Sequence, residues 1–116
     1  MVVDVELNNT EVDRLFQALA DATRRDIVTR VIEREQSVSE LAEHYAMSFA
    51  AVQKHVAVLE RASLVSKVRR GREQIVHGDP ITLRRATALL ESYEQLWHQR
   101  IASIDELLAE DESSTS

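Results

Sequence analysis

Basic side chains are concentrated between residues 49 and 78, in the middle of an otherwise acidic chain. They are Lys54, Arg61, Lys67, Arg69, Arg70 and Arg72, against only Glu60 and Glu73 in the same stretch. The whole chain carries a formal net charge of −6. Lysine and arginine neutralise phosphates, and they pair with base edges in a DNA groove, as glutamine does. Because acidic flanks repel a polyanion from other surfaces, this block predicts an interface for double-stranded DNA.

The residue sets needed for catalysis are absent from the sequence. The chain has no cysteine, which excludes disulfides and thiolate metal sites. It has no Gly-rich phosphate loop, and its four histidines are scattered without the spacing of a Ser–His–acid set. We therefore expect no enzyme activity, no resident metal and no cofactor.

Composition favours one mostly helical domain. Only two Gly and one Pro interrupt the 116 residues, and this length suits a single compact domain. No apolar run reaches the roughly 18 residues of a membrane span, and the first residues lack the basic and apolar regions of a signal peptide. A cytoplasmic protein without a membrane partner is expected.

The first half of the chain predicts three helices. Thr10 is the expected N-cap of the first helix, whose apolar residues Val12, Leu15, Phe16 and Leu19 recur at helical spacing. Asp21 is the expected N-cap of the second. Two serines remain candidates for capping the third helix. Ser37 has capping-box spacing to Glu40, and Ser39 lies closer to the apolar run that follows.

A helix-turn-helix unit is predicted around residue 48. Ser48 suits the N-cap of a helix over residues 49–62. Val52, Val56 and Leu59 form an inward stripe on that helix. The short third helix, a turn at residues 46–48 and this one-sided helix together make the motif.

A β-hairpin follows the second helix of this unit. Residues 64–69 and 73–77 are short and rich in β-branched residues, and they flank Arg70, Gly71 and Arg72. Gly71 can adopt the positive φ of a tight turn. A hairpin with a basic tip in this position is typical of a wing.

The last helix is longer than a domain of this size can cover. Asp79 and Pro80 form a typical helix start, and the apolar pattern predicts a helix over residues 81–108, about 40 Å long at 1.5 Å per residue. The excess apolar surface predicts a second copy of the chain as partner. We expect a flexible N-terminus at residues 1–8, one domain at residues 9–109 and a disordered acidic, serine-rich tail at residues 110–116.

Four segments in this order resemble the ArsR-type winged helix-turn-helix regulators. They are LFQALADATRRDI at residues 15–27, SVSELA at residues 37–42, the helix at residues 48–59, and Leu64-Val65 with the Arg-Gly-Arg turn. The resemblance covers about residues 12–108. It implies a mainly α fold of about five helices with a small β-hairpin, dimeric through the first and last helices.

The chain departs from this family's pattern at informative positions. The metal-sensing branch carries a Cys-x-Cys pair on the third helix, where this chain has Leu41, Ala42 and Glu43. Sensing of arsenic, cadmium or lead through thiolates is therefore excluded. Ser63 stands where a glycine is common at the end of the recognition helix, and Ser tolerates a left-handed conformation less well.

The resemblance and the helix faces together assign two surfaces. The predicted DNA-binding residues are Ser48, Phe49, Ala50, Gln53, Lys54, His55, Arg69, Arg70 and Arg72. For His55, contact with phosphate and a role in holding the turn together both remain open. Arg24 and Arg25 are expected to be structural and to pair with Asp21 or Asp26. The predicted dimer surface comprises Leu15, Phe16, Leu19, Leu90, Tyr93, Trp97, Ile101 and Ile104.

These features predict a sequence-specific DNA-binding transcriptional regulator. We expect a homodimeric repressor whose two recognition helices lie about 34 Å apart on an inverted repeat. One alternative is a metal-responsive regulator with ligands on the last helix, where Glu94 and His98 are four residues apart. The other is a winged helix that serves only as a protein-interaction module. No effector ligand is assigned from the sequence.

Overall fold

The computed structural model describes residues 7–114, with side chains described for residues 7–111. Its elements are α1 (Asn9–Leu19), α2 (Ala22–Glu33), β1 (Gln36–Ser37), α3 (Val38–Ala42), α4 (Phe49–Arg61), β2 (Val65–Arg70), β3 (Glu73–Gly78) and α5 (Pro80–Ser114). The predicted flexible N-terminus falls on residues 1–6, outside the described residues, and on Leu7 and Asn8, which are described. The chain divides into two compact units between Ala86 and Thr87.

Helix α1 begins two residues earlier than the sequence predicted. Asn8, and not Thr10, is its N-cap: the Asn8 Oδ1 atom accepts from the backbone N–H of Glu11 at 2.8 Å. The Glu11 carboxylate in turn accepts from the backbone N–H of Asn8 at 3.1 Å. This reciprocal capping box satisfies two of the donors that a helix N-terminus leaves open, and Thr10 therefore lies inside the helix.

The caps of the second and third helices are side chains that the sequence proposed. The Asp21 carboxylate accepts from the backbone N–H of Arg24 at 3.0 Å, so Asp21 is confirmed as the cap of α2. Of the two serine candidates for α3, the structure selects Ser37, which forms a capping box with Glu40. The backbone hydrogen bond from Ser37 lowers the pKa of the Glu40 carboxyl.

Helix α3 is shorter than predicted. It ends at Ala42, and the backbone N–H groups of His44 and Tyr45 bond to carbonyls three residues earlier. Such bonds tighten the chain into a 3₁₀-type turn. The connection to α4 therefore spans residues 43–48 and not the three-residue turn expected from the sequence.

The core of the first unit lies between α1, α2, α3, α4 and the sheet. Its fully buried large side chains are Leu15, Ile27, Leu41, Val52, Val56, Leu59, Leu64 and Val76. The predicted inward stripe of α4, formed by Val52, Val56 and Leu59, is confirmed, since all three are 0% exposed. The close packing of this stripe fixes the rotation of α4 about its axis.

The hairpin belongs to a three-stranded antiparallel sheet with the order β1-β3-β2. Strands β2 and β3 pair from Val65 opposite Gly78 to Arg70 opposite Glu73, and Gly71 and Arg72 form the loop between them. The sequence did not predict β1, which pairs Gln36 with Val76. A two-residue strand shows no alternation from which it could be recognised.

The second unit is the continuation of α5 from Thr87 to Ser114. Residues 110–114 are helical, which differs from the disordered tail expected from the sequence, and residues 115 and 116 lie outside the described part. No Gly or Pro follows Pro80, so no residue breaks the helix. Every residue from Leu90 to Asp111 is exposed within the single chain. Among the described residues, no helix has the length and apolar character needed to span a membrane.

Candidate nucleic-acid interface

Helix α4 has one buried face and one exposed polar face. The exposed face carries Ser48, Phe49, Ala50, Gln53 and Lys54, all of which the sequence assigned to DNA binding. Within the described part of the chain, neither Gln53 nor Lys54 has a side-chain hydrogen bond or ion pair. Their amide and ammonium groups are therefore free to bind an external partner.

The N-terminus of α4 begins at this same face. The Oγ atom of Ser48 accepts from the backbone N–H of Ala51 at 3.1 Å, which confirms Ser48 as the N-cap. The hydroxyl proton of Ser48 remains free to donate. Helix N-termini carry a partial positive charge and open N–H groups that favour anions. The end of α4 is thus suited to lie near a phosphate.

His55 is linked to α2 through Arg24. The Nη1 atom of Arg24 lies 3.3 Å from Nδ1 of His55. Because a guanidinium group can only donate, this contact is a hydrogen bond in the tautomer of His55 whose proton is on Nε2. Arg24 also donates to the carbonyls of Gln17 at 2.9 Å and Ala18 at 2.7 Å, at the end of α1. The Arg24–His55 contact joins the recognition helix to the helices behind it.

Arg24 and Arg25 have the structural role that the sequence predicted, with partly different partners. Arg24 lies 3.9 Å from the Asp21 carboxylate, which is longer than its bonds to carbonyls. Arg25 donates to the carbonyl of Leu19 at 2.7 Å. Hydrogen bonding from the backbone of Arg24 lowers the pKa of the Asp21 carboxyl. The sequence did not reveal the carbonyl partners, since backbone acceptors carry no residue signature.

A cluster on α2 holds the turn between α3 and α4. The Tyr45 hydroxyl donates to Oδ2 of Asp26 at 2.6 Å, and Arg30 donates to the same oxygen at 2.8 Å. The guanidinium of Arg30 also lies over the Tyr45 ring, 5.9 Å from its centroid. The hydrogen bond from Tyr45, followed by that from Arg30, lowers the pKa of the Asp26 carboxyl. Burial, with the Asp26 carboxylate, raises the pKa of Tyr45 to about 12.

The hairpin turn has the geometry that the sequence predicted. Gly71, the first of its two loop residues, has a φ of 65°. Glycine at this position is required by the type II′ turn, whose twist matches the flanking strands. The side chain of Arg69 donates to the carbonyl of Gly71 at 3.2 Å. This bond holds Arg69 against the tip.

The basic side chains of the wing differ in whether they have an acidic partner within the chain. Arg70 lies 3.4 Å from the Glu35 carboxylate, which also contacts Nδ1 of His77 at 2.9 Å. Lys67 pairs with Glu60 of α4 at 3.5 Å. By contrast, Arg72 is exposed and has no polar partner among the described side chains. Of the three arginines predicted to meet DNA, the structure leaves Arg72 free, whereas Arg70 has an acidic partner within the chain.

The residues expected at a dimer surface fall into different environments. Leu15 is only 1% exposed within the core of the single chain, so its assignment to a dimer surface is corrected: it is a core residue. Leu19 is half-buried and packs against the same core, and Phe16 is 42% exposed. In the second unit, the exposed large apolar residues are Leu90, Tyr93, Leu96, Trp97, Ile101, Ile104, Leu107 and Leu108. Leu96, Leu107 and Leu108 extend the set taken from the sequence.

The pair considered for metal binding lies on the exposed second unit. Glu94 and His98 are one helical turn apart, and both are exposed. In the described part of the chain, no group of three or more His, Asp or Glu side chains is arranged to hold a metal ion. A structural zinc site takes four ligands, so this pair by itself forms no such site.

Comparison with known proteins places this geometry in a family. A helix-turn-helix domain family matches residues 19–68. The chain is 35% identical over 96 residues to the HTH-type transcriptional regulator Rv2034 of Mycobacterium tuberculosis, covering 83% of this chain and 87% of that protein.

Solved structures share most of this fold. The ArsR-like transcriptional regulator from Rhodococcus sp. RHA1 superposes with a TM-score of 0.78 and 33% identity, over 84% of this chain and 90% of the other. The winged helix-turn-helix domain of Mb0332 from Mycobacterium bovis shows the same fold with a TM-score of 0.59 and 24% identity, over 77% of this chain and 84% of that one. The chain belongs to the ArsR family of winged helix-turn-helix, DNA-binding transcriptional regulators.

Proposed function

We propose that this regulator is a sequence-specific repressor that binds an inverted-repeat operator as a homodimer. The observation that carries the proposal is the exposed face of α4. Gln53 and Lys54 have no partner among the described residues, and they lie opposite a stripe that is completely buried. Exposed polar side chains are common on any helix. This face, however, belongs to the second helix of a helix-turn-helix, and that helix is the one that enters the major groove of DNA.

Three residues on this face and one at the wing tip suit contacts with DNA. Gln53 suits a bidentate pair with an adenine edge, and Lys54 suits a guanine or a phosphate. Phe49 offers an apolar contact to a thymine methyl group. Arg72 at the wing tip suits the phosphate backbone or the minor groove. Arginine contacts at these places depend little on the base sequence. Specificity would therefore come from α4, and the wing would add mainly sequence-independent affinity.

The second unit supports a homodimer. From Leu90 to Asp111 it has no buried residue in the single chain, yet it carries eight large apolar side chains. Exposed apolar surface of this extent marks an interface, and a second copy gives a closed two-fold arrangement. Mb0332, which shares the fold, is described as homodimeric. A dimer presents two recognition helices to half-sites about 34 Å apart.

Repression follows from where such a dimer would lie. Two α4 helices and two wings on adjacent turns of the duplex would cover about 20 base pairs of DNA. Polymerase is then excluded by occupancy alone, and no further contact is needed. The direction of regulation is therefore assigned as repression.

Selection of bound duplexes from a random pool, with the purified full-length protein, tests this proposal. We expect an enriched inverted repeat whose half-site centres are one helical turn apart. A variant with Gln53→Ala and Lys54→Ala serves as the control and should enrich no consensus. If the unsubstituted protein enriches no sequence at low salt, the proposal of sequence-specific binding is wrong. Enrichment of single half-sites would contradict the dimeric arrangement.

A further inference from the structure

A small polar cavity lies at the end of α4 opposite to the proposed DNA-reading end. Its volume is about 100 Å³, and it is lined by residues of α1, α4 and the first turns of α5. Three of its lining residues are arginines, namely Arg14, Arg61 and Arg85. Each comes from a different helix, so the cavity brings together three arginine residues that are distant in sequence.

These arginines have no acidic partner on the described part of the chain. No carboxylate of residues 7–111 forms an ion pair with any of them. The one carboxylate that lines the cavity, Glu11, accepts from the backbone N–H of Asn8 in the capping box of α1. Its negative charge offsets one of the three positive charges, so the side chains that line the cavity carry a formal net charge of +2. The cavity therefore favours an anion.

Two hydroxyl groups line the same cavity. Thr82 is only 5% exposed, and its hydroxyl forms no hydrogen bond with another described residue. The Thr82 hydroxyl is therefore available to a ligand or a water molecule that enters the cavity. Ser63 also lines the cavity, and it has a φ of 59°, the one positive φ of a non-glycine residue in the described chain. A residue in the left-handed conformation commonly ends a helix, as Ser63 does after α4.

We propose that this cavity binds a small oxyanion, a phosphate or a carboxylate, at one site per chain. Guanidinium groups pair with the oxygens of both anions through parallel N–H donors. The Thr82 and Ser63 hydroxyls add donors from the cavity wall. The volume is several times that of a site for one water molecule, which suits a group of the size of phosphate. The ligand adds negative charge to a cavity whose lining is net positive, and it can accept from the Thr82 hydroxyl.

The position of the cavity links the anion to DNA binding. Arg61 is the last residue of α4, about 18 Å along the helix axis from Phe49 at 1.5 Å per residue. An anion held by arginines from α1, α4 and α5 fixes the far end of the recognition helix against its neighbours. If the two sites are coupled, DNA and the anion must change each other's affinity by the same factor. This coupling rests on the proposed function, whereas the binding of the anion does not.

Titration calorimetry of the full-length protein with inorganic phosphate, at constant ionic strength, tests the site. We expect one phosphate per chain, with affinity at least fivefold weaker in Arg61→Gln and in Arg85→Gln. Arg72→Gln is the matched control, since it removes the same charge from the wing tip and should change affinity less than twofold. Equal affinity in all four proteins, or no measurable binding, would overturn the proposal.

Two further variants separate the hydroxyl groups from the charges. Thr82→Val keeps the shape of the side chain and removes only the hydroxyl, so we expect a normal circular dichroism spectrum with weaker phosphate binding. Ser63→Gly removes both the hydroxyl and the strain. Its melting temperature should be higher without phosphate, and the phosphate-dependent rise should be smaller. Because phosphate also stabilises proteins nonspecifically, an identical rise in all variants would count against the site.

DNA binding in chloride buffer distinguishes a free anion from the phosphates of the duplex. We expect Arg61→Gln and Arg85→Gln to leave the salt dependence of DNA affinity unchanged, because their site lies away from the reading end of α4. If each instead lowered the slope by about one unit while phosphate did not bind, these arginines would contact the DNA backbone. That result would overturn the inference and leave the proposed function intact.

Discussion

Arg24 in α2 donates to Nδ1 of His55 in α4 across 3.3 Å. The same guanidinium donates to the carbonyls of Gln17 and Ala18, which end helix α1. One side chain therefore satisfies acceptors that a helix C-terminus leaves open and, through His55, fixes the recognition helix to both α1 and α2. The orientation of the exposed face of α4, which we propose reads DNA, depends on this contact as well as on the buried stripe of α4.

Replacement of Arg24 by alanine is expected to destabilise the fold. Arg24→Ala removes a side-chain donor from His55 and from the carbonyls of Gln17 and Ala18, although the Gln17 carbonyl still accepts from the backbone N–H of Ala20 at 3.2 Å. The Arg24 side chain is only 18% exposed. We expect a loss of about 2 kcal/mol from the free energy of unfolding, measured by urea denaturation at one fixed protein concentration. Arg34→Ala is the control, because Arg34 forms only an exposed pair with Glu40; its effect should stay below about 0.5 kcal/mol. Equal effects of the two substitutions would contradict this role.

The salt dependence of DNA binding should distinguish the two arginines of the wing tip. Arg72 is free, so Arg72→Ala should lower the slope of log affinity against log salt by about one unit. Arg70 is already paired with Glu35 at 3.4 Å, so Arg70→Ala should lower it by less.

Glu35→Gln supplies the matched test of this competition. Without the Glu35 carboxylate, Arg70 is released to phosphate, so DNA affinity and the slope should both rise. In this background Arg70→Ala should then have an effect as large as that of Arg72→Ala. If Glu35→Gln leaves both quantities unchanged, Arg70 does not exchange between Glu35 and DNA.

A charge in the apolar stripe of the second unit should dissociate the proposed dimer. Trp97 is 59% exposed in the single chain, and Trp97→Glu would place a carboxylate in the interface, where an unpaired charge is costly. Sedimentation equilibrium should show weaker association by at least tenfold. Ile81→Glu is the control, since Ile81 is 57% exposed but lies in the first unit. A protein that is monomeric before any substitution would refute the dimer.

Tyr45 should ionise only in strong alkali. Its pKa is raised from 10.0 to about 12 by burial and by the Asp26 carboxylate. Because the folded pKa lies above the unfolded value, the stabilising contribution of neutral Tyr45 is complete below pH 10 and is lost as the pH rises toward 12. Tyr93→Phe leaves Tyr45 as the only tyrosine, and ultraviolet titration of this variant should show a midpoint near 12. A midpoint near 10 would contradict the contact with Asp26.

The periodicity of the sequence was enough to predict the elements that form the site. Ser48 as a cap and Val52, Val56 and Leu59 as a buried stripe are local signals, and they determine which face of α4 is exposed. The turn at Gly71 is also local, since its positive φ depends on one residue type. The order of the helices and the wing was therefore readable without tertiary information.

Contacts between residues that are distant in the sequence could not be predicted from it. Leu15 and Phe16 are adjacent apolar residues, and only the packing of α1 on the core decides that Leu15 is buried while Phe16 is exposed. The Arg24–His55 contact joins residues 31 apart, and the Arg70–Glu35 pair joins residues 35 apart. No periodicity connects such positions, so the restraint on Arg70 appeared only in the structure.

The central claim is that the exposed face of α4 reads bases. The most direct test compares the affinity of the protein for its selected duplex with that for a scrambled duplex, at one salt concentration, before and after Gln53→Ala and Lys54→Ala. We predict that the double substitution reduces the ratio of the two affinities at least tenfold, since each lost base contact is worth about 1–3 kcal/mol of discrimination, while binding to the scrambled duplex falls much less. An unchanged ratio would show that α4 does not determine the sequence preference.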